Sequence, residues 1–132
     1  MASTRELISP PELHPSPGFS HVAVATGSRF AFIAGQVALA QDFAVIGGDD
    51  LHAQTVAAMR NLEVALAATG ASWGHVVRRT IYTTQPTEFV TITAAIEEVQ
   101  GSSEHPAQTI LGVTGLAVPG LLIEIECTVC LP

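Results

Sequence analysis

Ile123-Glu124-Ile125-Glu126-Cys127-Thr128-Val129-Cys130-Leu131 alternates apolar and polar residues with a period of two. Successive side chains of a strand point to opposite faces. Ile123, Ile125, Cys127, Val129 and Leu131 therefore share one face. Glu124, Glu126, Thr128 and Cys130 share the other. The first face belongs on a core, and the second carries two carboxylates. A one-residue slip would exchange the two sets, so the register is strongly specified.

Working back from this strand, Gly115, Pro119 and Gly120 break the chain, and Ala107 to Val113 forms the preceding strand. Before it, Pro86-Thr87-Glu88 opens a helix with Phe89, Ile92, Ile96 and Val99 as its buried stripe and Gly101 as its stop. His75 to Thr83 is rich in β-branched residues and reads as a strand. Asp49-Asp50 opens a longer helix, since acidic residues suit the positive N-terminal end. Thr55, Ala58, Met59, Leu62, Ala65, Leu66 and Thr69 fall on one stripe of that helix, which Gly70 ends. Phe19 to Ala25 and Phe30 to Ala34 flank Thr26-Gly27-Ser28 and are expected to pair as a hairpin.

The first 17 residues hold Pro10, Pro11, Pro15 and Pro17 and read as an irregular lead-in. Residues 18–132 then form one α+β domain of order β-β-α-β-α-β-β, a mixed sheet with both helices on one face. Runs such as Ala31-Phe32-Ile33-Ala34 and Val76-Val77 are apolar on both faces. The side away from the helices is therefore expected to be covered, and association of like subunits is the economical way to cover it.

At 132 residues, one domain is expected, with no disulfide or metal staple needed. Hydrophobic residues make up 48% of the chain and charged residues 13%, a balance that excludes disorder. A formal charge of -7 leaves no basic face for phosphates, so nucleic acid is not an expected partner. No stretch reaches the roughly 20 apolar residues of a membrane span, and the first residues lack a signal peptide's apolar core. A cytoplasmic protein is the expectation.

Cys127 and Cys130 spell C-x-x-C, but they lie within a strand and point to opposite faces, so packing is expected rather than redox or zinc chemistry. The five histidines show no ligand spacing, and neither a metal nor another cofactor is expected. No G-x-S-x-G turn is present for a serine hydrolase.

With this order of elements, the chain resembles the RidA/YjgF family. The likeness is carried by Phe30-Ala31-Phe32-Ile33-Ala34-Gly35-Gln36, by Ala53-Gln54-Thr55 through Asn61-Leu62 to Thr69-Gly70-Ala71-Ser72, and by Val76-Val77 to Tyr82. His105-Pro106-Ala107 and Ile123-Glu124-Ile125-Glu126 complete it, so that it spans roughly residues 17 to 131. The resemblance implies a homotrimer with small-molecule clefts between subunits. It also implies hydrolysis of reactive imines or enamines to a keto acid and ammonia.

The family's cleft arginine, which clamps a substrate carboxylate, falls at Gln108. The usual aromatic hydroxyl falls at Phe19, the serine at Ala34, the asparagine at Thr93 and the cysteine at Ile110. A hydroxyl remains at Thr109 and the acidic residue at Glu124. Losing a bidentate charge-assisted pair forfeits about 1.5–3 kcal/mol of carboxylate binding. The cleft is thus expected to take a larger, neutral or amide-bearing ligand. Glu124 is the expected catalytic group, activating water or carrying a proton to a leaving amine. The plainer alternative is a solvated sheet residue. His21, two residues beyond Phe19, is a second expected proton carrier, against the alternative of a surface histidine. Two further readings stand beside the deaminase-like enzyme. One is a specialised pathway enzyme acting on a neutral, bulkier intermediate, and the other is a non-catalytic metabolite-binding protein.

Overall fold

A computed structural model describes residues 2–132. The chain forms strand β1 (Arg5–Ile8), β2 (Val22–Ala25), β3 (Arg29–Gln36), helix α1 (Leu51–Thr69), a 3-10 turn (Trp73–His75) and β4 (Val76–Thr83). Helix α2 (Phe89–Gln100), β5 (Ala107–Gly112) and β6 (Ile123–Leu131) complete it. The main sheet has the order β3-β6-β4-β5. Strand β6 runs antiparallel to both neighbours, whereas β5 runs parallel to β4 across the α2 crossover. The sheet is therefore mixed, and the architecture is α+β.

The alternation of β6 decides which side is the core. Ile123, Ile125 and Val129 are fully buried together with Met59 and Leu62 of α1 and Ile92 of α2. Each such side chain contributes about 1.5–3 kcal/mol of burial free energy, so this one face supplies most of the driving force. Glu124, Glu126 and Thr128 point the other way and are half-buried. Both helix ends follow local rules. Asp50 caps α1 through Oδ1, which accepts from the Ala53 N–H at 3.1 Å, and Gly70 ends it with φ +78°. Buried Gln54 donates to the Gly48 and Gly120 carbonyls at 2.6 and 2.8 Å and accepts from the Leu122 N–H at 2.8 Å. It thereby ties both loops to α1.

Three expectations change. The lead-in is not irregular throughout, because Arg5–Ile8 pairs antiparallel with Val22–Ala25. It is also anchored to the body: Thr4 Oγ1 donates to the Cys130 carbonyl at 2.5 Å and Arg5 Nη1 to the Val76 carbonyl at 2.6 Å. The expected hairpin about Gly27 does not form. Thr26 N–H donates to Thr4 and Ser28 N–H to Leu131, so this segment crosses between two sheets. A Cβ on Gly27 would collide with the Leu131 carbonyl, and close approach rather than turning explains the glycine. Phe89, expected in the buried stripe of α2, is 44% exposed at the helix start. The core side of α2 begins only at Ile92.

The side of the sheet away from the helices is open in the single chain. Phe30 and Phe32 are 56% and 79% exposed there, opposite Cys130 and Thr128 in the register. No helix among the described residues is long and apolar enough to cross a membrane.

Candidate functional site

The residues singled out from the sequence fall into two groups. Phe19, Thr93, Gln108 and Ile110 meet in a cleft of about 460 Å³. Pro15 and Pro17 of the lead-in, with Pro86 and Phe89 at the start of α2, make its remaining apolar walls, and His14 stands at its edge. Gln108 and Ile110 reach it because they lie on the same face of β5, two positions apart. Gly18 brings the lead-in close. It has φ +83°, and a Cβ there would strike the Thr93 side chain.

Beneath the cleft runs a buried polar chain that the sequence reading passed over. Arg79 of β4 is 2% exposed. Its Nε–H donates to Gln108 Oε1 at 2.5 Å, and its Nη2 donates to the Gly18 carbonyl at 3.2 Å and to His105 Nδ1 at 3.0 Å. A guanidinium can only donate, so His105 Nδ1 accepts and Nε2 carries the proton, directed at Glu97 Oε2 at 3.2 Å. Burial, reinforced by the Arg79 charge, holds His105 below its ordinary pKa and keeps it neutral. Desolvation lowers Arg79 to about 10, which still leaves it charged at neutral pH. Ion partners make such burial tolerable, and here Glu97 supplies the counter-charge through His105. The available signal was the alternation of Val76-Val77-Arg78-Arg79-Thr80-Ile81, which puts Arg79 on the side of Ile81 and Arg78 on the other.

The second group, Glu124, Ala34 and Thr109, belongs to the open face of the sheet. Glu124 lines a hollow of about 350 Å³ with Tyr82, Glu126 and the loop of Val113 to Ala117. The ladder of β3 and β6 is irregular between Ile33 and Gln36, and Gly35 leaves the room that the Glu124 carboxylate fills. Such bulges commonly re-aim a side chain beside a site. Tyr82 Oη donates to Glu126 Oε1 at 2.5 Å, and that bond raises the phenol above its ordinary pKa. Arg78 Nη2 donates to Thr109 Oγ1 at 2.9 Å. Thr109 therefore stands outside the cleft that Gln108 lines.

His21 does not line the cleft. Its ring packs edge-on to Phe19 and His14, with centroids 5.1 and 4.8 Å apart, and its Nε2 donates to the His14 carbonyl at 2.8 Å. It backs the Phe19 wall. Cys127 and Cys130 are both free and buried, and burial pushes the Cys127 thiol up to about 12, far from a nucleophilic thiolate. Among the described residues no three His, Cys, Asp or Glu side chains converge to hold a metal ion.

The chain is similar in sequence and fold to known proteins. The family profile described as Endoribonuclease L-PSP matches residues 10–131. A RutC family protein of Synechocystis is 27% identical over 119 residues, covering 89% of this chain and 91% of that protein. Protein DfrA of Myxococcus xanthus is 31% identical over 111 residues, covering 82% and 81%. Among solved structures, the Rid family protein YyfB of Yersinia pestis, described as of unknown function, superposes with a TM-score of 0.89. It is 39% identical and covers 97% of this chain and 99% of its own. A YjgF family member from Mycobacterium tuberculosis gives 0.65 at 29% identity, covering 97% and 100%.

Proposed function

Because the chain belongs to the RidA/YjgF (endoribonuclease L-PSP) family, we propose that it is a small-molecule hydrolase acting on an imine or enamine, with a cleft altered for a non-standard substrate. In this reaction an enamine first tautomerises to the imine, water adds across C=N, and the C–N bond of the resulting carbinolamine breaks. An open-chain imine gives a carbonyl compound and ammonia, and a cyclic imine opens to an amino carbonyl compound. Glu124 takes the proton from water and returns it to the departing nitrogen. The cleft holds the substrate against Phe19 and Ile110, with Thr93 and Gln108 as its polar contacts.

One observation carries the reading. Four of the residues carried over from the family meet in a single cleft, whereas Glu124 stands on the open sheet face. A catalytic site needs both groups together. In the proposed homotrimer the open face of one copy closes on the cleft of the next and delivers Glu124 to it. The exposed Phe30 and Phe32 support burial of that face. Nucleic acid is not the proposed substrate, because the charge of -7 opposes binding a phosphate backbone.

The apolar walls favour a second, narrower version: a pathway enzyme whose substrate is neutral and bulkier than an amino-acid-derived imine. The experiment follows decay of 2-aminoacrylate and of a larger cyclic imine, with Glu124→Gln as control. The expected result is accelerated hydrolysis of the cyclic imine that falls about 10²-fold or more in the variant, as for loss of a general base. Equal rates for the two proteins remove Glu124 from the mechanism. Melting shifts with ligand but no turnover would leave a binding protein.

A further inference from the structure

The cleft's polar end is a single amide, and its orientation is fixed from below. Arg79 offers only N–H groups, so the atom of Gln108 that faces it must be the carbonyl oxygen. The amide nitrogen then leaves the other side of the group and meets no protein acceptor among the described residues. Thr93 and His14 are the other polar side chains on the walls. His14 Nδ1 donates to the Pro15 carbonyl at 2.8 Å, so in the neutral ring Nε2 is an acceptor. The chain's five cationic side chains are all arginines, and none lines the cleft.

We infer that Arg79 is a positioning residue that holds the Gln108 N–H₂ toward the cleft, and that the cleft thereby selects ligands carrying an uncharged carbonyl oxygen over carboxylates. A carboxylate offers about four acceptor sites and costs far more to desolvate than an amide or ketone. Proline and phenylalanine walls, with the Gln108 N–H₂ and the Thr93 hydroxyl as donors and no cation, satisfy a carbonyl oxygen and leave a carboxylate's charge and remaining acceptor sites unmet. The Arg79 charge does not reverse this, because its Nε and Nη2 donors are committed to protein acceptors and Glu97 offsets it through His105. The inference deepens the proposed function by naming the substrate class, and it rests on the cleft being the ligand site.

The test compares 3-phenylpropionamide with 3-phenylpropionate, measured by titration calorimetry and by the Gln108 side-chain amide signals in NMR spectra. The amide is expected to bind at least about tenfold tighter and to shift those signals. Gln108→Glu keeps a partner for Arg79 and removes the outward donor, so 4-phenylbutan-2-one, which has a carbonyl oxygen and no donor, is expected to bind about tenfold or more weakly than to the native protein while the variant stays folded. Arg79→Lys frees the glutamine to flip, and the ketone's affinity is expected to fall there as well. A role confined to stability would leave that affinity alone. Equal or tighter carboxylate binding by the native protein, undiminished ketone binding by Gln108→Glu, or binding of none of the probes overturns the inference. Imine turnover is measured separately. Its absence beside an intact amide preference sinks the hydrolase and spares the selectivity, and turnover with a carboxylate preference does the reverse.

Discussion

Arg79 and Gln108 lie opposite each other on parallel strands β4 and β5, joined by an Nε–H···Oε1 bond of 2.5 Å. The cation that this family resemblance leads one to seek in the cleft, at position 108, stands instead one strand away and buried. Restoring a carboxylate clamp therefore requires more than one substitution. Gln108→Arg alone sets two guanidinium groups against each other and removes the acceptor of a buried charge, which costs about 1.5–3 kcal/mol. We expect its melting temperature to fall by roughly 5–15 °C, measured by calorimetry, with no gain in carboxylate binding. Gln108→Arg combined with Arg79→Gln exchanges the two groups. The pair is expected to recover most of the stability and to bind 3-phenylpropionate. Full stability in the single variant would show that the Arg79 bond matters little.

Gly35 and Glu124 make a second pair. A Cβ at position 35 would occupy the space of the Glu124 carboxylate. Gly35→Ala should reduce imine turnover nearly as much as Glu124→Gln while leaving the circular dichroism spectrum intact. Undiminished turnover would mean that the position of this carboxylate is immaterial.

His105 gives a signed dependence on pH. Its folded pKa is lowered, so below about 6.5 the unfolded chain binds a proton that the folded chain refuses. The stability it contributes is complete above that pH and is lost as pH falls toward the folded value. Melting temperatures at pH 7.5 and 5.5 should differ more in the native protein than in His105→Gln. Identical differences would remove His105 from the acid response.

The lead-in offers a stability test. Residues 2–9 contain Thr4 and Arg5, whose side chains bond to the Cys130 and Val76 carbonyls, and strand β1 itself. Deleting them should lower stability by about 2–4 kcal/mol at roughly 0.5–1.5 kcal/mol per hydrogen bond lost, read from urea midpoints. An unchanged midpoint would show that the strand adds nothing.

Much of this architecture is written in local pattern. The β6 alternation, the stripe and caps of α1, and the single-face placement of both helices follow from periodicity and end chemistry. Strand β1 escaped because Arg5-Glu6-Leu7-Ile8 is short, half charged and next to prolines, and its pairing depends on a strand 14 or more residues away. Gly27 misled because close backbone approach and turning both demand glycine. In the site, four of the residues that the family resemblance singles out, Phe19, Thr93, Gln108 and Ile110, line one cleft. Alternation had already set Glu124 on the face away from the core, but the resemblance alone did not separate it from that cleft. Arg79 lies next to exposed Arg78, and only the strand's alternation turns it inward.

Subunit mixing probes the proposed shared site most directly. Glu124→Gln and Gln108→Glu, each expected to be inactive alone, would be co-expressed with different tags and the hybrids isolated through both. Hybrids in which an intact cleft meets an intact glutamate from the adjacent copy should regain hydrolysis of the cyclic imine. Hybrids as inactive as their parents, beside an active native protein, would contradict a site built from two copies.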